Sequence, residues 1–190
     1  MTDAEKIEAA IRQAANKPTG ELTKVDLEKV TWLNFSGYQL TDVSALAGLK
    51  QLERLHLLNN QLTDVNALVG LKQLTDLNLN GNQLIDASSL AGLTKLKMLY
   101  LEDNQLTDLT PLAGLKKVEV LGLYNNNLTD VGALAGLTQL KELYLNFNNL
   151  TDVNALARLT QLNYLFLQDN PNLIKVEIAK LRAALPKCKI

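Results

Sequence analysis

The chain repeats itself every twenty-two residues, and that period constrains its fold more than any other property of the sequence. Copies begin at Val30, Leu52, Leu74, Leu96, Val118, Leu140 and Leu162, seven in phase. Within a copy, apolar residues occupy positions 1, 4, 6 and 11, as in Leu74, Leu77, Leu79 and Leu84, and then 14, 17 and 20, as in Ala87, Leu90 and Leu93. A spacing of two sends side chains to one face of a short strand, whereas a spacing of three suits a helical or 3₁₀ return segment. A unit this short cannot bury its own apolar face, so the copies must stack around one continuous core.

The polar positions predict how each unit turns. Position 15 carries Ser44, Asn66, Ser88, Thr110, Gly132 and Asn154, residue types suited to an N-cap, with Pro111 following at a first helical position. Position 19 carries Gly48, Gly70, Gly92, Gly114 and Gly136, which fits a left-handed C-terminal residue, and Arg158 in the sixth copy then predicts a turn that differs. Asn60, Asn82, Asn104, Asn126, Asn148 and Asn170 form a column at position 9, where an amide with both donors and an acceptor can satisfy backbone at the bend. Asp42, Asp64, Asp86, Asp108, Asp130 and Asp152 form another at position 13. Turn hydrogen bonds explain it better than calcium, since each turn offers one carboxylate and calcium takes six to eight oxygens.

Both ends depart from the repeat. Residues 3–17 carry Ile7, Ala10, Ile11 and Ala14 at helical spacing, with Thr2 or Asp3 as cap, and Thr23 with Asp26 resembles a capping box opening a second short helix through Leu27. Residues 1–29 are therefore expected to be a helical N-terminal cap. After Asn170, the positions Ile174, Ile178, Leu181 and Leu185 predict a helix ended by Pro186, so residues 173–190 are expected to seal the other end. The whole is expected to be one domain, with seven repeats over 30–172.

Composition excludes several classes of function. A formal net charge of -1 offers no excess of cations for phosphates or anionic lipid, so neither nucleic acid nor membrane is indicated. Cys188, the only cysteine, excludes an internal disulfide and any multi-cysteine zinc site. His56 is the only histidine, and no nucleophile or phosphate-loop motif accompanies it. Asp76, Glu102, Asp103 and Glu142 supply carboxylates, but on an open sheet with nothing to raise one pKa above another. No catalysis, metal or cofactor is expected. The N-terminus has no apolar leader, so a cytoplasmic protein is expected, a secreted one with its signal removed being the alternative.

The unit LxxLxLxxNxLxDVxxLxxLxx resembles the leucine-rich repeat, specifically the 22-residue class of internalin-like bacterial surface proteins and eukaryotic phosphatase-regulator relatives, and the ending NPNLIKVEIAKLRAALPKCKI is similar to the terminal cap of the bacterial members. The resemblance implies a right-handed solenoid with a concave parallel sheet of about seven strands, short convex 3₁₀ turns, and protein recognition through the concave face.

Positions 12 to 22 are nearly verbatim between copies, whereas 3, 5, 7 and 8 change freely, and positions 3 and 5 flank an inward residue on the strand. Position 3 runs Trp32, Arg54, Asp76, Met98, Val120, Glu142, Tyr164, and position 5 runs Asn34, His56, Asn78, Tyr100, Gly122, Tyr144, Phe166. Apart from Asn34, and with Glu102, Tyr124 and Asn146 from position 7, these form the candidate binding surface. It divides into an N-terminal zone of Trp32 beside Arg54, itself beside Asp76; a polar middle; and an aromatic C-terminal zone in which Gly122 is expected to leave a gap between Tyr100 and Tyr144. A monomer binding a protein or peptide there is expected, with an engineered binding scaffold and a structural or self-associating solenoid as alternatives. Val69, Ile85 and Arg158, which break the repeat incidentally, favour a natural module over an engineered one.

Overall fold

The computed structural model describes residues 1–190. Seven three-residue strands form one parallel sheet in sequence order: β1 (Trp32–Asn34), β2 (Arg54–His56), β3 (Asp76–Asn78), β4 (Met98–Tyr100), β5 (Val120–Gly122), β6 (Glu142–Tyr144) and β7 (Tyr164–Phe166). Each strand pairs with the next at an offset of one repeat, so Leu33, Leu55, Leu77, Leu99, Leu121, Leu143 and Leu165 form one inward row. Between strands the chain returns through 3₁₀ segments at Ser44–Leu46, Asn66–Gly70, Ser88–Leu90, Thr110–Gly114, Gly132–Gly136 and Asn154–Arg158. The chain is a leucine-rich repeat solenoid. Its repeat leucines belong to one apolar cluster running from Ile7 to Leu185, each buried leucine contributing about 2 kcal/mol.

The asparagine column joins each coil to the one before it. Asn104 Nδ2 donates to Leu79 O of the preceding coil at 3.0 Å and to its own coil's Leu101 O at 3.1 Å, and its Oδ1 accepts from Leu84 N at 3.0 Å. The other five repeat this pattern from buried positions. The first coil has none before it to bond. There Tyr38 replaces the amide and packs edge-on against Phe35.

Two expectations for the turns are corrected. The residue at position 15 is not the cap: it lies inside the 3₁₀ segment, and the aspartate two residues earlier accepts its N–H, at 2.7–3.0 Å in all six turns. In the first turn the Ser44 hydroxyl and N–H together lower the Asp42 pKa. Nor are the position 19 glycines left-handed, since positive φ occurs among glycines only at Gly20, Gly37 and Gly81. A Cβ would meet only ordinary van der Waals contacts at Gly48 and Gly114, whereas at Gly70, Gly92 or Gly136 it would push aside the flexible end of the preceding coil's lysine, Lys50, Lys72 or Lys116. Where that neighbour is Thr138, Arg158 is accommodated in a turn of the same length as its predecessor.

Helices close both ends. In α1 (Asp3–Ala14), Thr2 Oγ1 accepts from Glu5 N and Glu5 Oε2 accepts from Thr2 N, a capping box, while Ile7 and Ile11 enter the core. In α2 (Lys24–Glu28), Thr23 and Asp26 form a second box. In α3 (Lys175–Ala184), Leu181 is buried and the following Leu185 joins it, but Ile174 stands exposed just before the helix, and Leu173 takes the core position expected of it. No helix is long and apolar enough to cross a membrane.

Candidate functional site

Strand geometry puts positions 3 and 5 on the open sheet face. Every strand buries its middle residue and leaves its flanks exposed or half-exposed, with Gly122 the one exception. The register makes equal positions lateral neighbours about 4.8 Å apart, so the columns read from the sequence are rows of adjacent side chains.

At the N-terminal end, the Arg54 guanidinium lies 5.8 Å from the centre of the Trp32 ring, and Trp32 meets His56 edge-on at 6.4 Å. Arg54 forms no ion pair with Asp76, although the two are register partners. His56 Nε2 takes that place, 3.5 Å from Asp76 Oδ2. The other oxygen, Asp76 Oδ1, is enclosed and accepts no hydrogen bond. Asn78 next to it accepts from Asn80 N at 3.0 Å.

At the C-terminal end the aromatic residues pack on one another. Tyr144 stacks on Phe166 with ring centres 4.9 Å apart and planes 6° from parallel. Its hydroxyl donates to Glu142 Oε2 at 2.8 Å, and that hydrogen bond to a carboxylate, with partial burial, pushes its pKa up to about 12. Tyr164 closes the zone with Lys189 Nζ 5.2 Å from its ring centre. A cavity of about 650 Å³ opens beyond it, between β7 and the C-terminal tail, lined in part by Tyr164, Phe166, Arg182 and Ile190.

The gap expected over Gly122 is filled. Glu102 leans across it, with Cδ only 2.8 Å from where a Cβ on Gly122 would stand, which is why that glycine is buried. Glu102 is held there by the Asn80 amide, and burial raises its pKa. Tyr100, beside it, is also raised, first by burial and then by the negative charges of Asp76, Glu102 and Glu142. Met98 and Val120 form the apolar row next to these groups, and Asn146 bonds Gln168 at 2.5 Å.

The comparisons with known proteins agree with this architecture. The description "Leucine Rich repeats (2 copies)" matches residues 72–114 and 116–158, and "Leucine rich repeat" matches residues 28–84. No curated protein matches the chain by sequence. Among solved structures, internalin C2 of Listeria monocytogenes is 30% identical, with a TM-score of 0.77 over 100% of this chain and 92% of that one. The chain belongs to the internalin-like leucine-rich repeat proteins. A second Listeria monocytogenes internalin, inlF, is 31% identical with a TM-score of 0.87 over 96% of this chain, which spans 53% of inlF. The Arabidopsis receptor kinase HAESA, solved in complex with a peptide hormone and a co-receptor, is 29% identical with a TM-score of 0.69, over 82% of this chain and 29% of that one.

Phe147, an aromatic residue that the sequence places in the variable slots of this internalin-like surface, has a backbone conformation that the columns at positions 3 and 5 do not reveal. Position 8 is left-handed in every coil, with positive φ at Gly37, Asn59, Gly81, Asp103, Asn125, Phe147 and Asp169. Six are residue types that tolerate it, whereas Phe147, at φ 54°, is a bulky side chain where such backbone is strained. Phe147 remains 47% exposed and meets Tyr124 edge-on at 5.1 Å, extending the aromatic zone beyond the strands. The signal lay in its own column, where one phenylalanine interrupts Gly, Asn and Asp.

Proposed function

We propose that the chain is a non-catalytic module that recognises a protein or peptide through the C-terminal half of its concave sheet. Leucine-rich repeat proteins as a class are binding modules, and HAESA was solved with a peptide hormone bound. The observation carrying the reading is the concentration of Tyr100, Tyr124, Tyr144, Phe147, Tyr164 and Phe166 on one face of four adjacent strands and their loops. Aromatic side chains give large contact area at low entropic cost, and they concentrate where binding energy does. Folding does not account for Phe147, whose backbone a glycine or asparagine would relax.

The test is capture by the immobilised chain compared with a variant carrying Ser at Tyr100, Tyr144, Tyr164 and Phe166. Partners retained by the first and lost by the second support the reading; equal retention overturns it. Light scattering on both chains identifies self-association, which would appear as a concentration-dependent dimer abolished by the same substitutions.

A further inference from the structure

The aromatic zone has a charge that the whole chain lacks. Nineteen cationic and twenty anionic side chains nearly balance overall. At positions 3, 5, 7 and 8 of the coils containing β3 to β7, however, the charged residues are Asp76, Glu102, Asp103, Glu142 and Asp169, with no lysine or arginine among them. Six carboxylates elsewhere pair with a lysine or arginine, as Glu119 does with Lys141 at 2.5 Å. On this face Glu102 has only an amide, Glu142 a tyrosine hydroxyl, and Asp76 the lone imidazole, with its second oxygen enclosed and unbonded.

Glu102 lies over Gly122 between Tyr100 and Tyr144, Glu142 accepts from the Tyr144 hydroxyl, and Asp76 lies on the strand next to Tyr100. Their charges all act on the Tyr100 phenol, and Glu102 and Glu142 also act on Tyr144. Tyr100 and Tyr144 stand two strands apart, about 10 Å, with side-chain-free Gly122 between them. Phe166 covers one face of Tyr144, leaving the face on the Gly122 side uncovered by any aromatic ring. A cation seated there would meet the uncovered face of Tyr144, with Glu102 over Gly122 and Glu142 at the Tyr144 hydroxyl as counter-charges, an arrangement that attracts ammonium or guanidinium by quadrupole and charge together. A neutral apolar side chain would displace Glu102 from Gly122 and gain no counter-charge.

The geometry points to a partner that inserts a lysine or arginine side chain between Tyr100 and Tyr144, against Glu102 and Glu142. This rests on the reading that the concave face binds a protein or peptide, and it specifies the chemistry of that partner. The entering cation swings the Glu102 carboxylate off Gly122 and pairs with it, while Glu142 keeps its bond to Tyr144.

A library of short random peptides, selected on the immobilised full chain, tests it. Retained peptides should be enriched in lysine or arginine. A selected lysine peptide should lose about tenfold or more in affinity when that lysine is acetylated, and similarly against a Glu102→Gln, Glu142→Gln chain. The acetylated peptide keeps the test independent of how the variant folds. Retained peptides without cation enrichment, whose binding still falls with Tyr100→Ser and Tyr144→Ser, overturn the cation assignment and leave the binding face standing. Retention no greater than on the tyrosine-to-serine chain overturns both.

Discussion

At the scale of single residues, two side chains in adjoining columns do opposite things to stability. Asn104 satisfies Leu79 O, Leu101 O and Leu84 N where water cannot reach them. Truncation in Asn104→Ala leaves these groups unpaired, and at about 1–3 kcal/mol for each buried unsatisfied group the variant should lose about 3 kcal/mol or more of unfolding free energy in urea. Loss below about 1 kcal/mol would mean that the ladder is redundant. Phe147 is the reverse case, since relief of its left-handed strain should make Phe147→Asn more stable by about 1 kcal/mol. The same variant should bind a captured partner more weakly. A variant both more stable and equally tight would remove Phe147 from the binding surface. Neither role shows in a hydrophobic pattern: the ladder is visible only because six asparagines recur in phase, and the strain only because one column otherwise contains Gly, Asn and Asp.

At the scale of elements, strands and turns were legible because the apolar spacing switches from two to three inside each repeat, and the structure follows that switch at every copy. What the pattern missed depends on neighbouring coils. The position 19 glycines look like left-handed caps when a repeat is read alone, yet none has positive φ, and over Gly70, Gly92 and Gly136 the space is taken by the end of a lysine side chain one coil back. The gap over Gly122 looks open in its own column and is filled from position 7 of the coil before. A side chain's column is set by its number, but the direction in which a long side chain leans is not. The N-terminal helix offers a quantitative case of such contact between elements. Asp3 accepts from the Thr41 N–H at 2.7 Å, the Thr41 hydroxyl and the Asp42 N–H, and it pairs with Lys6; these bonds, the Thr41 N–H foremost, lower its pKa from 3.8 to about 2. A carboxyl depressed in this way holds fewer protons folded than unfolded, so its stabilisation is complete above about 3.8 and is lost as pH falls through about 2. Asp3→Asn should therefore cost about 1–2 kcal/mol in urea unfolding at neutral pH, with the two chains converging in acid. A difference of the same size across that range would assign the effect to packing instead.

At the scale of the whole molecule, the fold is a line of layers in which each coil touches only its neighbours, apart from the shared continuity of the core. Stability in such a stack is a sum of coil and interface contributions, so damage at an end should spread inward gradually and not unfold the chain at once. The C-terminal end tests this directly. Lys189 extends the sheet by one bridge, accepting from Leu165 N at 2.9 Å and donating to Asn163 O at 2.8 Å, and α3 supports that tail through Leu181 and Leu185. Leu181→Ala leaves a cavity under the cap and should cost about 2–5 kcal/mol locally. Hydrogen exchange should then accelerate most at the amide of Leu165, less at Leu143, and little at Leu77, four coils away. Equal acceleration at all three would show a single cooperative unit. A graded response would place the aromatic zone of β6 and β7 in the part of the sheet whose order depends on the terminal cap, so cap mutations should weaken partner binding without touching a contact residue.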